Sequence, residues 1–361
     1  MKNIIIDGDN LKGLHYLLDK HELAGKIDLV YIDPPFSTNT DFRISANRAS
    51  TISSSKKDSI AYSDKLNGDE YIEFLRERLI LLKALLSNQG SIYLHIDYKI
   101  GHYVKVMMDE VFGIKNFRND ITRIKCNPKN FKRRGYGNIK DMILFYSKTD
   151  KPIWNEPKTP YTKSDLVKLF PKIKEGKRYT TVPIHAPGET LNGESNKPFK
   201  GTMPPKGRHW RTDVKTLELW DKNGLIEWSK TGNPRKIIFV DDSQGKRVQD
   251  IWQFKDPQYP IYPTEKNSDL LDLIIKTSSN QESIVLDCFC GSGSTLKSGH
   301  LLNRRWIGID QSEYAIKTSI NNIKNIDESL LISKAKYELV KLKNTETTSK
   351  ILQSEDISKS I

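Results

Sequence analysis

The chain has 361 residues, of which 37% are hydrophobic and 29% charged, with a formal net charge of +13. That composition suits a soluble globular protein with a real core, and no apolar run nears the ~18 residues of a membrane span. The opening MKNIIIDGDN turns acidic too soon for a secretory leader, so the expected location is cytoplasmic, with no membrane partner.

Taken in order, Ile4-Ile5-Ile6 reads as a short buried strand closing on Asp7-Gly8-Asp9-Asn10. Leu11, Leu14, Leu17 and Leu18 then follow at helical spacing, with Asp9 or Asn10 as the cap. Strand formers over 29–32 end in Asp33-Pro34-Pro35-Phe36. Residues 37–69 are mostly Ser, Thr, Asn, Asp and Lys, and read as a long mobile loop. The spacing predicts a helix over 70–86, a strand over 91–96, a helix over 104–111 and a strand over 141–146. Residues 150–247 are rich in Pro, Gly and Lys and poor in periodic runs. Regular patterning returns with a helix over 270–275, a strand over 284–286, a glycine loop, a helix from Thr295, and a strand over 306–309 that ends at Asp310. From about Asp327 one more helix and a tail are expected.

Strands alternating with helices at both ends imply a mostly parallel sheet covered on both faces. Neither end holds enough strands alone, so residues 1–117 and 250–326 are expected to share one sheet. The segment 118–249 is an insertion, from which 141–148 returns a strand to the core, and 327–361 forms a C-terminal helix and tail. Cys126, Cys288 and Cys290 have no zinc spacing and cannot make a disulfide framework. Cys288 and Cys290 read as small residues packing a tight turn, and no metal is expected.

The charge is unevenly placed. From Arg118 to Arg247 there are 29 Lys+Arg against 14 Asp+Glu, which leaves 29 basic and 31 acidic residues for the rest of the chain. A basic middle carrying Trp154, Trp210, Trp220 and Trp228 suggests a polyanion-binding module.

The stretch IVLDCFCGSGST (284–295) runs a hydrophobic strand into Asp287 and a turn with Gly291 and Gly293. Glycines there let the backbone approach a ligand. Asp310 lies 17 residues beyond Gly293, where an acid on a neighbouring strand tip can hold both hydroxyls of a ribose. The loop lacks the third glycine of a dinucleotide fingerprint and the Gly-Lys-Ser/Thr of a phosphate loop. Asp287 would repel phosphate and welcome a cation, such as the ammonium and sulfonium of S-adenosylmethionine. In Asp33-Pro34-Pro35-Phe36, proline restricts its predecessor to extended shapes, so the Asp33 carboxylate and Pro34 carbonyl can face one pocket as fixed acceptors. Phe36 offers a flat face. Such a site fits a planar ring bearing an exocyclic amine.

These pieces, in this order, resemble the amino-directed DNA methyltransferases. The specific likeness is to N6-adenine enzymes of the permuted β arrangement, such as type II and type III restriction-modification methyltransferases. DPPF (33–36) comes first and DCFCGSGST (287–295) last, and GSIYLHID (90–97), DMILFYSK (141–148), YPTEK (262–266) and RRWIGID (304–310) also match. The resemblance implies a doubly wound, Rossmann-like S-adenosylmethionine-dependent methyltransferase fold with an inserted target-recognition region. It implies that Asp33, Pro34, Pro35 and Phe36 hold the target adenine. Asp287, Phe289, Gly291 and Gly293 would line the methyl donor, with Asp310 on its ribose, Asp9 near its adenine, and Thr264 and Lys266 at its amino-acid end. Phe36 replaces the commoner Tyr, and Ser294 stands where Thr is common. The target base must be flipped out of the duplex. Lys125, Lys129, Lys132, Arg133 and Arg134, from the segment running into K-N-F-K-R-R-G-Y-G (129–137), are expected to contact double-stranded DNA. The resemblance leaves open a homodimer and a cognate restriction endonuclease. Three other readings stand beside it: an N4-cytosine enzyme, a modification subunit needing a nuclease, and an inactive DNA-binding module.

Overall fold

In the strand Asn3–Asp7 (β1), Ile4 and Ile6 face one way and Ile5 the other, and all three are buried. Burial on both faces is the mark of a strand inside a sheet covered by helices, and each such side chain contributes about 1.5–3 kcal/mol. Ile4 and Ile6 pack with Leu14 and Leu17 of the helix Asn10–Asp19 (α1), while Ile5 packs with Leu296, Trp306, Ile316 and Ile320.

The computed structural model describes residues 2–35, 40–45, 48–50, 59–64, 68–128, 130, 132, 134–190, 192–256, 266–330, 335–342 and 347–353, with the backbone alone for 40–64, 327–330 and 347–353. One compact unit comprises Met1–Pro157 with Gln249–Ile361, and a second comprises Lys158–Val248.

The first unit is built on one sheet. After β1 its strands are Ile27–Ile32 (β2), Leu86–Ile96 (β3), Phe117–Ile124 (β4), Lys140–Ser147 (β5), Ile251–Trp252 (β6), Ile284–Asp287 (β7), Arg305–Asp310 (β8), Lys336–Leu342 (β9) and Thr347–Gln353 (β10). Their order is β6-β4-β5-β3-β2-β7-β8-β1-β9-β10. The run from β3 to β9 is wholly parallel. β5 is antiparallel to both β3 and β4, and β10 to β9. Gly68–Leu85 (α2) and Gly101–Phe112 (α3) bury Leu75, Leu79, Leu82, Val104 and Met108 on the face that α1 covers. Ser294–Leu301 (α5) and Glu313–Leu330 (α6) bury Leu296, Ile316, Ile320 and Ile323 on the other. The helix following β2 and the helix following β7 therefore lie on opposite faces, and these two strands are neighbours. That is the switch point at whose carboxyl edge open α/β sheets place their ligands.

Four expectations change. The segment 37–69 is not a bare loop, since Thr40–Ser45, Arg48–Ser50 and Ser59–Asp64 pair as antiparallel strands. The alternation in TDFRIS and in SIAYSD is the period-two signal that the polar composition obscured. The segment from 118 does not leave the sheet, because β4 and β5 pair with each other and β5 pairs with β3. The last helix starts at Glu313 rather than near 327, with Ile316, Ile320 and Ile323 on its buried face among Lys, Ser and Asn. The chain beyond it adds β9 and β10 instead of a tail.

The second unit has an antiparallel sheet of Lys172–Lys174, Lys177–Pro183, Pro234–Phe239 and Ile226–Trp228. Its core gathers Ile184, Phe199, Trp210 and Leu217, with Trp220 packed against them. Trp210 is fully buried and donates its indole N–H to the Lys197 carbonyl at 3.0 Å. Trp228 stacks on Phe199. Of the tryptophans in this segment, Trp210 and Trp220 thus belong to a small core, while Trp228 is 39% exposed. Trp154 belongs to the first unit and stacks on Phe145.

Candidate active site

β2 and β7 pair in parallel, with Leu29 opposite Val285 and Val30 opposite Leu286. Asp287 ends β7, and Asp33 stands just past the end of β2. Residues 254 positions apart in sequence therefore share one edge of the sheet. Asp33 is 14% exposed, with Pro34 buried and Pro35 half-buried after it. Its Oδ2 lies 2.7 Å from the Lys266 Nζ. Lys266 precedes Asn267, whose side chain caps the helix Ser268–Ser278 (α4) by accepting from the Asp269 N–H. The Asp33 Oδ1 is buried and has no hydrogen-bond partner. A buried acceptor left in that state costs about 1–3 kcal/mol, so it marks a place where a donor is expected to arrive.

Behind Asp33 lies a buried polar network. The His95 Nδ1 is 3.8 Å from the Asp33 Oδ1 and 3.1 Å from the Tyr31 hydroxyl. The His95 Nε2 is 3.2 Å from the Asp141 Oδ2. Asp141 also receives Lys125 at 2.6 Å and Arg123 at 3.5 Å, and Arg123 reaches on to Asp256. Burial and the nearby Lys266 push His95 below its usual value. Burial works against the Asp141 charge, but the bonds from His95 and Lys125 hold its carboxyl well below the usual carboxylate range. Burial pushes the Tyr31 phenol well up. A neutral imidazole beside an ionised carboxylate donates from Nε2, which leaves Nδ1 as the acceptor facing Tyr31 and Asp33.

On the other tip, Asp287 is buried, with Thr295 donating to its Oδ2 at 2.6 Å and the Phe289 N–H to its Oδ1 at 3.0 Å. Burial raises its carboxyl to about 7, against the help of those two bonds and with Asp33 and Asp310 adding to the rise. Burial likewise raises Asp310, which accepts from the Gly291 N–H at 2.9 Å and the Ser312 N–H at 2.9 Å. Gly293 has a φ of +77°, and a Cβ there would fall 2.6 Å from the Ser319 hydroxyl oxygen. Asp9 caps α1 by accepting from the Lys12 N–H at 3.0 Å, and its other oxygen lies 3.5 Å from Arg78. Arg78 also donates to Asn10, which in turn donates to the Cys288 carbonyl. The first acidic turn is thereby tied to the glycine loop. Cys288 and Cys290 are buried, as small turn-packing residues would be.

The edge therefore brings together Asp33, Pro34, Pro35, Lys266 and Asp287 around β2 and β7, with Phe289, Gly291 and Gly293 in the adjoining loop, Asp310 at the end of β8 bonded to that loop, and Asp9 linked to it through Arg78 and Asn10. Phe36, Thr264, Lys129 and Arg133 lie outside the described residues. Lys266, expected at a ligand's amino-acid end, stands 2.7 Å from Asp33, and Lys125, expected at the polyanion, lies 2.6 Å from Asp141. Lys132 and Arg134 are exposed. Sequence reasoning gave no role to Tyr31, His95, Arg123 or Asp141. The available signal was a histidine inside the otherwise apolar SIYLHI, which only a partner on a neighbouring strand makes tolerable.

Among the described residues no group of His, Cys, Asp and Glu could hold a metal ion, and no helix is long and apolar enough to cross a membrane. The DNA methylase family profile, which covers N6 and N4 enzymes, matches residues 27–321. The chain is 40% identical over 324 residues to the type II methyltransferase M.EcaI of Enterobacter cloacae, covering 88% of this chain and 68% of that one. It is 24% identical over 400 residues to the probable type III restriction-modification enzyme HindVI Mod subunit of Haemophilus influenzae, covering 90% of this chain and 50% of the relative. It is 26% identical over 337 residues to the type III StyLTI Mod subunit of Salmonella typhimurium, covering 83% of this chain and again 50% of the relative. The chain thus spans about half the length of these type III relatives. With the match covering most of the chain and both strand tips, the protein belongs to the N6/N4 DNA methylase family.

Proposed function

We propose that the protein transfers a methyl group from S-adenosylmethionine to the N6 amine of a flipped-out adenine in double-stranded DNA, within a restriction-modification system. The observation that carries this reading is the bare, buried Oδ1 of Asp33. An exocyclic amine has two N–H donors, and Asp33 Oδ1 and the Pro34 carbonyl offer two acceptors on a proline-stiffened exit from β2. Accepting both hydrogens draws the nitrogen lone pair away from the ring and toward an incoming methyl group. Lys266 and the His95 network hold the carboxylate in place.

The residues of the other tip fit a sulfonium donor. Asp287 is an acid that burial keeps half-protonated near neutral pH, and a cation beside it would draw it into the ionised form. S-adenosylmethionine, when bound, supplies an electrophilic methyl group. Asp310, through lone pairs that the loop amides leave open, is assigned to its ribose, and Phe289 to its adenosine. Lys132 and Arg134 are assigned to phosphates, and the second unit, with 19 Lys+Arg against 10 Asp+Glu, to recognition of the site. The relatives' printed roles as type II methyltransferases and type III Mod subunits support the restriction-modification setting, and with it a cognate nuclease.

The test is mass spectrometry of nucleosides from unmethylated bacterial genomic DNA incubated with the protein and S-adenosylmethionine. N6-methyladenine is the expected product. N4-methylcytosine would move the target to the other amine of the family, and no methylated nucleoside at all would leave a DNA-binding module.

A further inference from the structure

We propose that His95 receives, through Asp33, the proton that methyl transfer releases from the target amine, and holds it between Asp33 and Asp141. This rests on the methyltransferase reading and adds a positioning residue to it. In the transfer the amine nitrogen bonds to the donor's methyl carbon, and the methyl–sulfur bond breaks with its electron pair going to sulfur. The nitrogen, now bearing one proton too many, gives it up to Asp33 Oδ1, the acceptor nearest to it. Asp33 must be ionised again for the next amine. Its other oxygen is held by Lys266, which has no room for a further proton, and only 14% of its side chain meets solvent.

The acceptor that remains is His95 Nδ1, 3.8 Å from the same Oδ1. That nitrogen is left unprotonated because Nε2 donates to Asp141 at 3.2 Å. Among the described residues, the groups facing the imidazole include Tyr31 and Asp33 from β2 and its exit, Asp141 from β5 and Lys266 ahead of α4. Arg123 and Lys125 from β4 stand behind Asp141. The charges of Asp33, Asp141 and Asp256 are matched by Lys266, Lys125 and Arg123, and the imidazole stands between two of these acids as the base that takes the proton on from Asp33. Once protonated at Nδ1 it lies between two carboxylates. The Tyr31 hydroxyl, 3.1 Å away, donates to Nδ1 in the resting state and turns to accept from it afterwards. Burial of a histidine at zero exposure on a central strand is otherwise an expensive choice for a core position.

The experiment compares wild type with His95→Gln, whose amide can still donate to Asp141, using tritiated S-adenosylmethionine and unmethylated genomic DNA between pH 5.5 and 9. The expected result is a 10- to 100-fold lower kcat, KM values for both substrates within threefold, and loss of the acid limb of the kcat profile. A kcat within threefold of wild type with the acid limb intact overturns the proposal. So does a loss of S-adenosylmethionine and DNA affinity that accounts for the whole fall in rate. A measurement on the unaltered protein covers a variant that fails to fold: nitrogen-15 NMR of the histidines should find His95 neutral with its proton on Nε2 at pH 7, and a proton on Nδ1 overturns the proposal. Wild type that methylates no DNA sinks the methyltransferase reading itself, whereas active wild type beside a fully active His95→Gln sinks this inference alone.

Discussion

The two neighbouring strand tips each present an aspartate, and the two are prepared in opposite ways. Asp33 is neutralised in place by Lys266 and keeps one oxygen bare. Asp287 accepts from Phe289 of its own loop on one oxygen and from Thr295 of α5 on the other, pairs with no cation among the described residues, and is driven toward its protonated form by burial. A bare oxygen on a balanced carboxylate suits a neutral hydrogen-bond donor. A filled, buried and unbalanced carboxylate suits a positive charge. On the proposed reading, one sheet edge separates a nucleophile's site from a cation's site by the surroundings of two identical side chains, much as paired carboxylates elsewhere are given different roles by their environments.

The strongest way to break this comparison is to remove the first acid. Asp33→Ala should lower kcat for methyl transfer by about 10³-fold, since it deletes the acceptor that polarises the amine, while S-adenosylmethionine affinity stays within threefold. Tritium incorporation into DNA and calorimetric titration check the two halves. Activity within tenfold of wild type would mean that Asp33 is not the acceptor.

The second acid is tested by pH. A carboxyl raised from 3.8 to about 7 keeps a proton in the folded protein that the unfolded chain has lost, so its contribution to stability is present below about pH 4 and disappears as pH rises to about 7. Cation binding runs the other way, because it selects the ionised form. Below pH 7 the affinity for S-adenosylmethionine should weaken by up to about tenfold per pH unit, and above it the affinity should level off. Calorimetry from pH 5.5 to 8 measures this, and Asp287→Asn should flatten the curve while weakening binding at pH 8. An unchanged slope in the variant would assign the dependence to another group.

Much of this arrangement is legible in the sequence. Asp33, Asp287 and Asp310 each sit where an apolar run meets turn residues, and a parallel sheet places all such ends on one edge. What could not be read is which oxygen each acid has free. That depends on Lys266, His95 and Thr295, whose distances from the acids are set by β-strand register and helix caps across gaps of up to 233 residues. The same limit explains Lys125. In sequence it belongs to a basic tract, but on β4 it lies beside β5, within reach of Asp141. The strands of 40–64 escape the sequence reading for a different reason: their alternation is carried by few apolar residues, so composition hides the period. β9 has Tyr337, Leu339, Val340 and Leu342 among its seven residues, but lies where a C-terminal helix is expected.

Lys266 gives the smallest effect and the sharpest discrimination between the tips. The segment YPTEK pointed to the donor's amino-acid end, whereas the ammonium lies 2.7 Å from Asp33. If its task is to fix the Asp33 carboxylate so that Oδ1 faces the amine, Lys266→Met should lower kcat about tenfold by letting the carboxylate turn, with the affinity for S-adenosylmethionine within threefold. The pair is only about one-tenth exposed, so its loss should respond weakly to added salt, unlike that of a surface ion pair. The variant also strips a positive charge from beside His95, so the acid limb of the kcat profile should move to higher pH, because that charge is one of the two causes that lower the imidazole. The opposite split, with kcat retained and donor affinity reduced tenfold, would return Lys266 to the cation's side of the edge and leave His95 and the chain's own backbone as the supports of Asp33.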